Sequence, residues 1–374
     1  MGRPRVLVIS EIPTPYRLPF FQRLAALDEV RVEVVFCAGA EPDRPWALDG
    51  LLAGVPHRIL PGLAPVVRTR RGTFVYQVNP GILPLLVRGR FDLLVVGGYA
   101  VFAEQVALAF ARLRGIPYLL HSESHLLKPR PPWVRAIKRM VLPTVLGGAG
   151  GGLAVGSAAA RYLAAYGLDP GRIRIVPNTI DVDRYRTAAE AARDRAAEIR
   201  ADRNLPDGFL LFAGRLVEAK GIPELVEALR LLGRSAPLVV VAGEGPLADE
   251  LAALPTVRMV GFLQPEALID FFALADATVV PSRSEPWGVV VNEALACGCP
   301  VIASDTVGAA EDLVVEGVNG LIVPAGDASA LAAAMGKALP RPDPTKGRIA
   351  RWNYDFAVEQ FVDALRLALP GRIG

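Results

Sequence analysis

Short apolar segments of strand length alternate with helical patterns along most of the chain, and this alternation limits the folds that it can adopt. The first series comprises Val6–Ser10, Val30–Phe36, Asp92–Val96, Tyr118–His121, Leu153–Val155 and Ile173–Val176. The second comprises Leu210–Ala213, Leu238–Ala242, Val257–Val260, Thr278–Pro281, Val301–Ser304 and Leu321–Val323. Continuous apolar strands between helices are typical of parallel sheets covered on both faces. We therefore predict an α/β protein with two doubly wound, Rossmann-like domains that face each other across a cleft.

The length of the chain also favours two domains, because 374 residues exceed what one hydrophobic core usually serves. The polar segment 183–206 separates the two series and is expected to form an exposed helix and linker. We place the first domain at residues 1–183 and the second at 184–353. A C-terminal helix, within 354–374, is expected to pack back on the first domain.

Composition and charge argue against several classes of protein. The net charge of +3 is spread thinly and forms no Lys/Arg stripe, so we expect no nucleic-acid partner. Residues Met140–Ala160 carry no charge, but Pro143 and a glycine-rich run would break a membrane-spanning helix. This stretch is therefore expected to be a helix end, a loop and a buried strand. The start of the chain lacks a signal-peptide pattern, so we expect a cytoplasmic location.

Two glutamates, Glu285 and Glu293, enclose seven residues that are apolar or small apart from Asn292. The spacing predicts a tight loop followed by a helix from about Gly288 to Ala296, with Glu285 just before it and Glu293 on it. Free N–H groups at a helix start favour an anion such as a diphosphate. Nearby carboxylates can accept hydrogen bonds from sugar or ribose hydroxyls, so the pair predicts a site for a sugar nucleotide.

The second domain opens with a strand that runs into Gly214-Arg215 and then Lys220-Gly221 before a helix. Two cations on a glycine loop at a strand end suit a diphosphate. If this loop is considered by itself, the simpler interpretation is that both cations are solvated surface charges. Only five of the 41 basic residues are lysines, and the nearby glutamate pair favours the binding interpretation.

Two further strand ends carry glycines on whose backbone a base or ribose could rest. Gly243-Glu244-Gly245 follows one strand, and Gly261-Phe262 follows the next. The first is not a dinucleotide fingerprint, because Ala248 stands where the third glycine would be.

Together these segments resemble the retaining, sugar-nucleotide-dependent glycosyltransferases of family 4, which have the two-domain GT-B architecture. The resemblance is specific over roughly residues 209–326 and looser over the first half. It implies that Arg215 and Lys220 hold the donor diphosphate, that Glu285 contacts the transferred sugar and that Glu293 binds the nucleotide ribose. The donor set expected from the loops and the resemblance is Tyr16, Gly214, Arg215, Lys220, Gly243, Glu244, Phe262, Glu285, Gly288, Val289 and Glu293.

The first domain supplies the remaining candidates. The loop Pro13–Arg17 follows the first strand, where similar loops in the family close over the donor; a common Gly-Gly pair is replaced here, which leaves the acceptor-side geometry open. Arg17 and Glu123 are acceptor-side candidates. The resemblance places His121 near the donor sugar, so the catalytic candidates are His121, Arg215, Lys220 and Glu285. A partly buried structural histidine is the simpler alternative for His121 and His125.

Two patterns suggest metal binding, and we expect a metal at neither. His121, Glu123 and His125 alternate along an extended segment, a spacing that a metal could use, but no fourth ligand is visible. Asp181-Val182-Asp183 is read as a turn and helix cap. We predict no metal and no cofactor, the donor being a UDP-, GDP- or ADP-sugar.

Residues 132–142 form a basic amphipathic pattern, with Trp133, Val134, Ile137, Met140 and Val141 at helical spacing and three basic residues elsewhere. Such a helix could lie on an anionic membrane at the inner face of the plasma membrane. It could equally cover a sheet with its apolar face and show its charges to water, which is the arrangement we favour.

The sequence thus predicts an enzyme that moves a hexosyl group from a nucleotide diphosphate sugar to a hydroxyl of a glycan, lipid or small-molecule acceptor with retention of configuration. A sugar-nucleotide epimerase of the same architecture, or a non-catalytic sugar-nucleotide-binding protein, would carry much of the same pattern.

Overall fold

The computed structural model describes residues 2–40, 46, 50, 52–69, 72–127 and 131–373, and the side chains of all of these except 67–69 and 72–74. The chain forms two compact units. The first comprises Met1–Arg68, Thr73–Asn178 and Tyr354–Gly374, and the second comprises Thr69–Gly72 and Thr179–Asn353.

The strands before residue 178 belong to the first unit, except that the division assigns the Thr69 end of β4 and the Gly72 end of β5 to the second. They are β1 (Arg5–Ser10), β2 (Arg31–Phe36), β3 (His57–Ile59), β4 (Val66–Thr69), β5 (Gly72–Val75), β6 (Leu93–Val96), β7 (Tyr118–Ser122), β8 (Gly151–Ala154) and β9 (Ile173–Ile175). Among the described residues, seven of them form a parallel sheet in the order β3-β2-β1-β6-β7-β8-β9, and β4 pairs with β5. The six predicted strands of this series are confirmed. β3, β4 and β5 are not predicted from the sequence, because they are only three or four residues long and β3 is exposed throughout.

The helices of the first unit begin with α1 (Leu18–Ala25), α2 (Ile82–Gly89), α3 (Phe102–Arg114), α4 (Pro132–Gly147) and α5 (Ser157–Ala165), followed by a 3-10 turn at Pro170–Arg172. The predicted helix end, loop and buried strand in Met140–Ala160 are confirmed, since α4 ends at Gly147 and β8 begins at Gly151. No helix in the described part of the chain is both long enough and apolar enough to cross a bilayer.

The second unit contains α6 (Val182–Asp194), α7 (Ala196–Asp202), β10 (Leu210–Ala213), α8 (Ile222–Leu232), β11 (Val239–Ala242), α9 (Ala248–Ala252), β12 (Val257–Gly261), α10 (Pro265–Leu274), β13 (Ala277–Val280), α11 (Val289–Ala296), β14 (Val301–Ser304), α12 (Gly308–Leu313), β15 (Gly320–Val323) and α13 (Ala328–Met335). Short 3-10 turns lie at Glu218–Lys220, Gly233–Ser235 and Ile349–Arg351. In the part that the structure describes, its six strands form a parallel sheet in the order β12-β11-β10-β13-β14-β15. All six predicted strands and the α/β class with two parallel sheets are confirmed.

Each sheet reverses its strand order at one place, between β1 and β6 in the first unit and between β10 and β13 in the second. At such a switch point the loops after the two strands diverge, which leaves a crevice at the carboxyl ends of the strands where ligands bind. The switch points therefore locate the candidate sites within each unit.

The segment 183–206 is not the exposed helix and linker expected from its polarity. It forms α6 and α7, and α6 buries Val182, Tyr185, Ala189 and Ala192 against α10 and α11 of the second unit. The Asp181 side chain caps α6 by accepting a hydrogen bond from the Arg184 N–H at 3.0 Å, which confirms the predicted cap. This helix therefore folds with the second unit, which starts at Thr179 and not at the predicted residue 184.

The C-terminal helix, α14 (Tyr354–Ala368), belongs to the first unit. It shares that unit's hydrophobic core, in which the Phe361 ring meets the Phe20 ring edge-on at 5.8 Å. The Tyr354 hydroxyl donates a hydrogen bond to the Tyr16 carbonyl at 2.8 Å. This bond ties α14 to the loop after β1, which carries candidate site residues.

The orientation of α4 is opposite to the favoured prediction. Trp133, Ile137, Met140 and Val141 are exposed, whereas the buried residues are Leu142 and Leu146. Lys138, expected to face water, turns inward and donates hydrogen bonds to two tyrosine hydroxyls. The sequence places apolar residues on one face of the helix, but it does not fix which face meets the sheet.

Replacing Phe361 with alanine tests how far α14 stabilises the first unit. Phe361 is only 1% exposed, so Phe361→Ala should lower the free energy of unfolding by about 3–5 kcal/mol through lost burial and a cavity. Leu367→Ala on the same helix is the matched control, since Leu367 is 39% exposed; it should cost less than about 1 kcal/mol. Equal effects in urea denaturation would contradict this account.

Candidate active site

The loops after β10 and β13 are joined at the switch point of the second sheet. The Arg283 N–H donates to the Ala219 carbonyl at 3.0 Å, which links the two loops through their backbones. Gly221 has φ +75°, and a Cβ there would lie 1.9 Å from the Pro281 carbonyl oxygen. Only glycine allows this approach, so the two loops hold a fixed separation.

Lys220 and Glu285 meet across these loops as an ion pair between Lys220 Nζ and Glu285 Oε2. Their side chains are 24% and 13% exposed, so each keeps an accessible edge while much of the pair is shielded from water. Arg215 lies half-buried on the same loop as Lys220. Two residues predicted to contact one donor are thus brought together, although they lie 65 positions apart.

A second ion pair supports the first. Arg283 Nε donates to Glu224 Oε1 at 2.6 Å, and Glu224 lies in the first turn of α8, directly after the Lys220 loop. The Glu224 side chain is only 8% exposed. This pair links the start of α8 to the loop after β13, so it restrains the backbone on both sides of the Lys220–Glu285 pair.

The helix predicted between the glutamates is confirmed as α11, with Gly288 at its N-cap in the left-handed conformation. No side chain caps it, so the first N–H groups of the helix are left for another acceptor. Val289 is its first residue and is partly buried. The Glu285 carbonyl accepts a hydrogen bond from the Gly308 N–H at 3.1 Å, which fixes the loop that leads into α11. An anion placed at this helix start would meet uncapped N–H groups next to Glu285 and Lys220.

Glu293 lies on α11 and accepts a hydrogen bond from the Tyr185 hydroxyl of α6 at 3.2 Å. Burial raises the pKa of Glu293 to about 7; the Tyr185 hydrogen bond opposes this shift and the nearby Glu266 carboxylate adds to it. The carboxyl group therefore keeps its proton to a higher pH than an ordinary glutamate does, and the protonated form can donate as well as accept a hydrogen bond. Either role suits a ribose hydroxyl.

The remaining predicted donor residues of the second unit lie at the carboxyl ends of β10, β11 and β12. Gly214 and Gly243 follow the first two strands, and a Cβ on Gly243 would lie 1.9 Å from the Gly214 carbonyl oxygen. The exposed Glu244 accepts a hydrogen bond from the Leu216 N–H through its carbonyl at 2.8 Å. Phe262 follows β12 directly and is partly buried. The Gly243 position is thus explained by loop packing, and its contact with a ligand stays a prediction.

The first unit brings its own candidates together around one cavity. Tyr16, Arg17, Gly97, His121 and Asn178 line it, with apolar side chains of the sheet and of α1 and α14 behind them. The buried His121 ring and the Gly97 backbone line this cavity together. Burial lowers the pKa of His121 well below the usual value, and the positive charge of Arg17 lowers it further. The imidazole is therefore neutral at physiological pH.

Glu123 follows β7 and faces two polar neighbours. Its Oε1 accepts a hydrogen bond from Asn178 Nδ2 at 2.9 Å and lies 3.9 Å from Arg17 Nη1. These contacts orient the carboxylate beside the loop after β1. Arg17 and Glu123, the two acceptor-side candidates, are therefore neighbours within the first unit.

The alternating His121, Glu123 and His125 do not form a metal centre. His121 and His125 are both buried, whereas Glu123 is directed to Asn178 and Arg17. Over the described residues, no group of three or more His, Cys, Asp or Glu side chains is arranged to hold a metal ion.

Glu104 is a buried acid near this cavity that was not predicted from the sequence. Its Oε2 accepts hydrogen bonds from the N–H groups of Ala100 and Val101 at 2.9 and 3.3 Å, at the start of α3. A Cβ on Gly98 would lie 3.0 Å from the same oxygen, so Glu104 lies directly beneath the loop after β6. It lies three residues after the helix N-cap, but that N-cap is Val101, whose side chain cannot accept a hydrogen bond, so the sequence carries no capping-box pattern that could have revealed Glu104.

Tyr185 and Asn178, the partners of Glu293 and Glu123, were also not predicted. The apolar series Val182, Tyr185, Ala189 and Ala192 has helical spacing and could have shown that α6 is packed on one side. Asn178 carries no comparable signal, because its role depends on β7 and β9 being brought side by side with β8.

Comparison with known protein families agrees with the division into two units. Residues 195–351 match the family described as "Glycosyl transferases group 1", and residues 14–179 match the family described as "Glycosyl transferase 4-like domain". The first match falls in the second unit, and the other falls almost entirely in the first unit.

Curated relatives carry related names. A D-inositol 3-phosphate glycosyltransferase of Frankia alni is 32% identical over 287 residues, which are 68% of this chain and 67% of that protein. The enzyme of the same name from Xylanimonas cellulosilytica is 31% identical over 227 residues, 55% of this chain and 54% of that one. The chain spans about half the length of several of the curated relatives that it matches.

Among solved structures, the Anabaena protein HepE, determined in complex with UDP and glucose, is similar over 97% of both chains. The TM-score is 0.66 and the sequence identity is 18%, so this similarity concerns the fold.

Replacing Glu104 with glutamine tests its buried, protonated state. Burial raises the pKa of Glu104 from 4.5 to about 8; the nearby Glu11 carboxylate adds to this, while the two backbone N–H groups and Arg17 oppose it. The folded state therefore binds the proton more tightly than the unfolded state does. The stability that this group contributes is full below about pH 4.5 and is lost as the pH rises through 8, by at most about 1.4 kcal/mol per pH unit.

Glu104→Gln keeps an acceptor for the two N–H groups and removes the titration. The difference in free energy of unfolding between this variant and the unchanged protein should thus grow in favour of the variant from pH 5 to pH 8.5. Glu359→Gln, at an exposed position of α14, is the control and should show no such trend. A pH-independent difference for Glu104→Gln would show that the carboxyl group is not protonated.

Proposed function

Because the chain belongs to the family 4 glycosyltransferases with GT-B architecture, we propose that it transfers a hexosyl group from a nucleotide diphosphate sugar to an acceptor hydroxyl with retention of configuration. The acceptor class comprises glycans, lipids and small molecules that carry a free hydroxyl group. The donor class comprises UDP-, GDP- and ADP-sugars.

The observation that carries the proposal is the meeting of Lys220 and Glu285 at the switch point of the second sheet. Arg215 lies on the same loop as Lys220, and Glu285 lies in the loop that leads to the uncapped start of α11. A diphosphate carries negative charge that two cations and a helix start can neutralise together. When the diphosphate replaces Glu285 as the ion-pair partner of Lys220, the Glu285 carboxylate becomes free to accept hydrogen bonds from sugar hydroxyls.

Glu293 is assigned to the ribose. Its contact with Tyr185 orients the carboxyl group, and its raised pKa gives it both hydrogen-bonding roles near neutral pH. The backbone at Gly288 and Val289 is assigned to the phosphate and sugar, and the loop at Phe262 to the base. Gly214, Gly243 and Glu244 form the strand-end loops on which the nucleotide rests.

In the proposed reaction, the bond between the anomeric carbon and the diphosphate oxygen breaks first, and its electron pair leaves with the diphosphate. The acceptor oxygen then bonds to the anomeric carbon on the face that the leaving group occupied. Its proton passes to a phosphate oxygen of the departing diphosphate. The main task of the protein is therefore to stabilise negative charge on the leaving group, which Arg215, Lys220 and the start of α11 perform.

Residues of the first unit are assigned to the hydroxyl groups of the substrates. The neutral imidazole of His121 can exchange hydrogen bonds with a sugar hydroxyl without adding charge, and the Tyr16 loop is assigned to the donor side. Arg17 and Glu123 are assigned to the acceptor. We assign no metal or other cofactor, because protein groups supply the positive charge in this scheme.

A ligand panel followed by one substitution tests the proposal. A donor nucleotide that binds only the folded state should raise the melting temperature by about 5 °C or more at a hundred times its Kd. With the donor thus identified, Lys220→Ala should lower kcat/KM on the order of 100- to 1000-fold, because a charge that stabilises the leaving group is lost. The sugar in the product should keep the anomeric configuration of the donor.

Lys337→Ala is the matched control, since Lys337 is an exposed lysine of the same unit. It should keep both the ligand-induced shift and the turnover. Unchanged turnover in a folded Lys220→Ala protein would refute the role of Lys220. Isomerisation of the donor in the absence of acceptor would instead identify an epimerase. Tight donor binding without turnover of any tested acceptor would identify a non-catalytic binding protein.

A further inference from the structure

Tyr185 and Glu293 meet inside the second unit. The Tyr185 hydroxyl donates a hydrogen bond to Glu293 Oε1 at 3.2 Å, and Tyr185 is only 7% exposed. The helices that carry the two residues, α6 and α11, pack against each other. Burial raises the pKa of Tyr185 above its usual value, and the charge of Glu293 adds to this shift. The phenol therefore keeps its proton at neutral pH, and toward Glu293 it acts as a donor.

The two oxygens of the Glu293 carboxyl group differ in their surroundings. Among the described residues, the Tyr185 hydroxyl bonds to Oε1 alone, and Oε2 accepts no hydrogen bond. Glu293 is only partly buried, and Oε2 is not one of the enclosed polar atoms without a partner in that part of the chain. Oε2 is therefore open to water or to a ligand. A proton on Oε1 would leave the buried Tyr185 hydroxyl without its acceptor, so the proton of the acid form lies on Oε2.

The other charged and titratable groups near Glu293 come from α6, α10 and α11. Burial is the main cause of the raised pKa of Glu293, and Glu266, in the first turn of α10, adds to it. Arg184 of α6 pairs with Glu266 at 3.2 Å. The Cys297 thiol, at the end of α11, is neutral because burial raises its pKa well above the usual value, and Arg193 of α6 donates to the Cys297 carbonyl at 2.8 Å. Within the described residues no cation pairs with Glu293, so the tyrosine hydroxyl is the group that favours its charged form.

We propose that Tyr185 is a positioning residue of the nucleotide site: by donating to Oε1 of Glu293 it confines the carboxyl proton to Oε2, where that proton competes with the ribose hydroxyls of the nucleotide. This inference rests on the proposed assignment of Glu293 to the ribose. A hydroxyl that donates to Oε2 bonds more strongly to the charged carboxylate than to the acid. Nucleotide binding therefore releases the proton. Because the pKa of Glu293 is about 7, the ribose contribution to binding is strongest above pH 7 and weakens as the pH falls below it.

Isothermal titration calorimetry with nucleoside diphosphates tests the proposal without transferring any sugar. Uridine, guanosine and adenosine diphosphates are compared, and the tightest binder is paired with its 2′,3′-dideoxy form, which keeps the base and the diphosphate but lacks both ribose hydroxyls. The ratio of the two dissociation constants isolates the ribose contribution, because titration of the phosphate affects both ligands alike. In the unchanged protein, the preference for the ribonucleotide should rise on the order of tenfold from pH 5.5 to pH 8.5.

Two substitutions should move this rise in opposite directions. Tyr185→Phe keeps the ring and removes the hydroxyl, so the ribonucleotide preference at pH 7 should drop about fivefold through the loss of one hydrogen bond. The rise should also move to higher pH, because the Tyr185 hydroxyl lowers the pKa of Glu293. Glu266→Gln should move it to lower pH, because a like charge is removed. Tyr166→Phe, at a partly exposed tyrosine of the first unit, is the matched control and should change neither the preference nor its pH dependence.

Glu293→Gln provides a second comparison. It keeps an acceptor for the Tyr185 hydroxyl and removes the titration, so the ribonucleotide preference should become independent of pH. Tyr185→Phe added to Glu293→Gln should then leave the pH dependence unaltered, since the two residues act through one contact. Should Tyr185→Phe fail to fold, Glu293→Gln and Glu266→Gln decide: a preference that still varies with pH in the first, or does not move to lower pH in the second, would contradict the proposal.

The outcomes separate this inference from the proposed function. If none of the three diphosphates binds, the proposed function is overturned and this inference with it. If a diphosphate binds but its ribonucleotide preference is the same at pH 5.5 and pH 8.5, no proton competes with the ribose at Glu293. If a folded Tyr185→Phe protein keeps both the preference and its pH dependence, Tyr185 only packs α6 against α11. Either of the last two results overturns the inference and leaves the proposed transfer reaction standing.

Discussion

The ion pair between Lys220 and Glu285 depends on a backbone contact that only glycine allows. Gly221 lies so close to the Pro281 carbonyl that a Cβ would overlap it, and the Arg283 N–H bonds to Ala219 across the same gap. These contacts place the loops after β10 and β13 at one separation. A cation, a carboxylate and an uncapped helix start then surround one small region. A site for a charged ligand has to be built in advance in this way, because the protein cannot reorganise its dipoles cheaply during a reaction.

The two units show different uses of buried acids. In the second unit, the pKa of Glu293 is raised to about 7, and its carboxyl group accepts a hydrogen bond from the Tyr185 hydroxyl. In the first unit, the pKa of Glu104 is raised to about 8, and its side chain accepts hydrogen bonds from backbone N–H groups beneath the loop after β6. The first is assigned to the substrate, whereas the second maintains the shape of a loop that lines a cavity together with His121. Burial is the largest cause of both shifts, so burial alone does not distinguish a substrate contact from structural support.

The strands and the helix between Glu285 and Glu293 were predictable because their signals are local. A strand buried on both faces must be a continuous apolar run, and Gly288 and Gly298 bound α11 on either side. The orientation of α4 was not predictable. The helical spacing of its apolar residues predicts an apolar stripe, but it does not show which side of the helix packs against the rest of the unit. Lys138 faces inward only because Tyr99 and Tyr162 come from distant parts of the chain to receive it. The prediction of an exposed linker at residues 183–206 was wrong for a related reason, because the many charged residues there conceal the narrow apolar side of α6.

The central claim is that Lys220 binds the donor diphosphate, and NMR of the lysine side chains measures this most directly. The chain has five lysines, so protein labelled at lysine Cε should give few signals, and the one missing from Lys220→Ala is assigned at once. Saturating nucleoside diphosphate is predicted to shift that signal more than the other four, as Lys220 exchanges a carboxylate partner for a phosphate. A Lys220 signal that stays in place while the ligand is demonstrably bound would contradict the account.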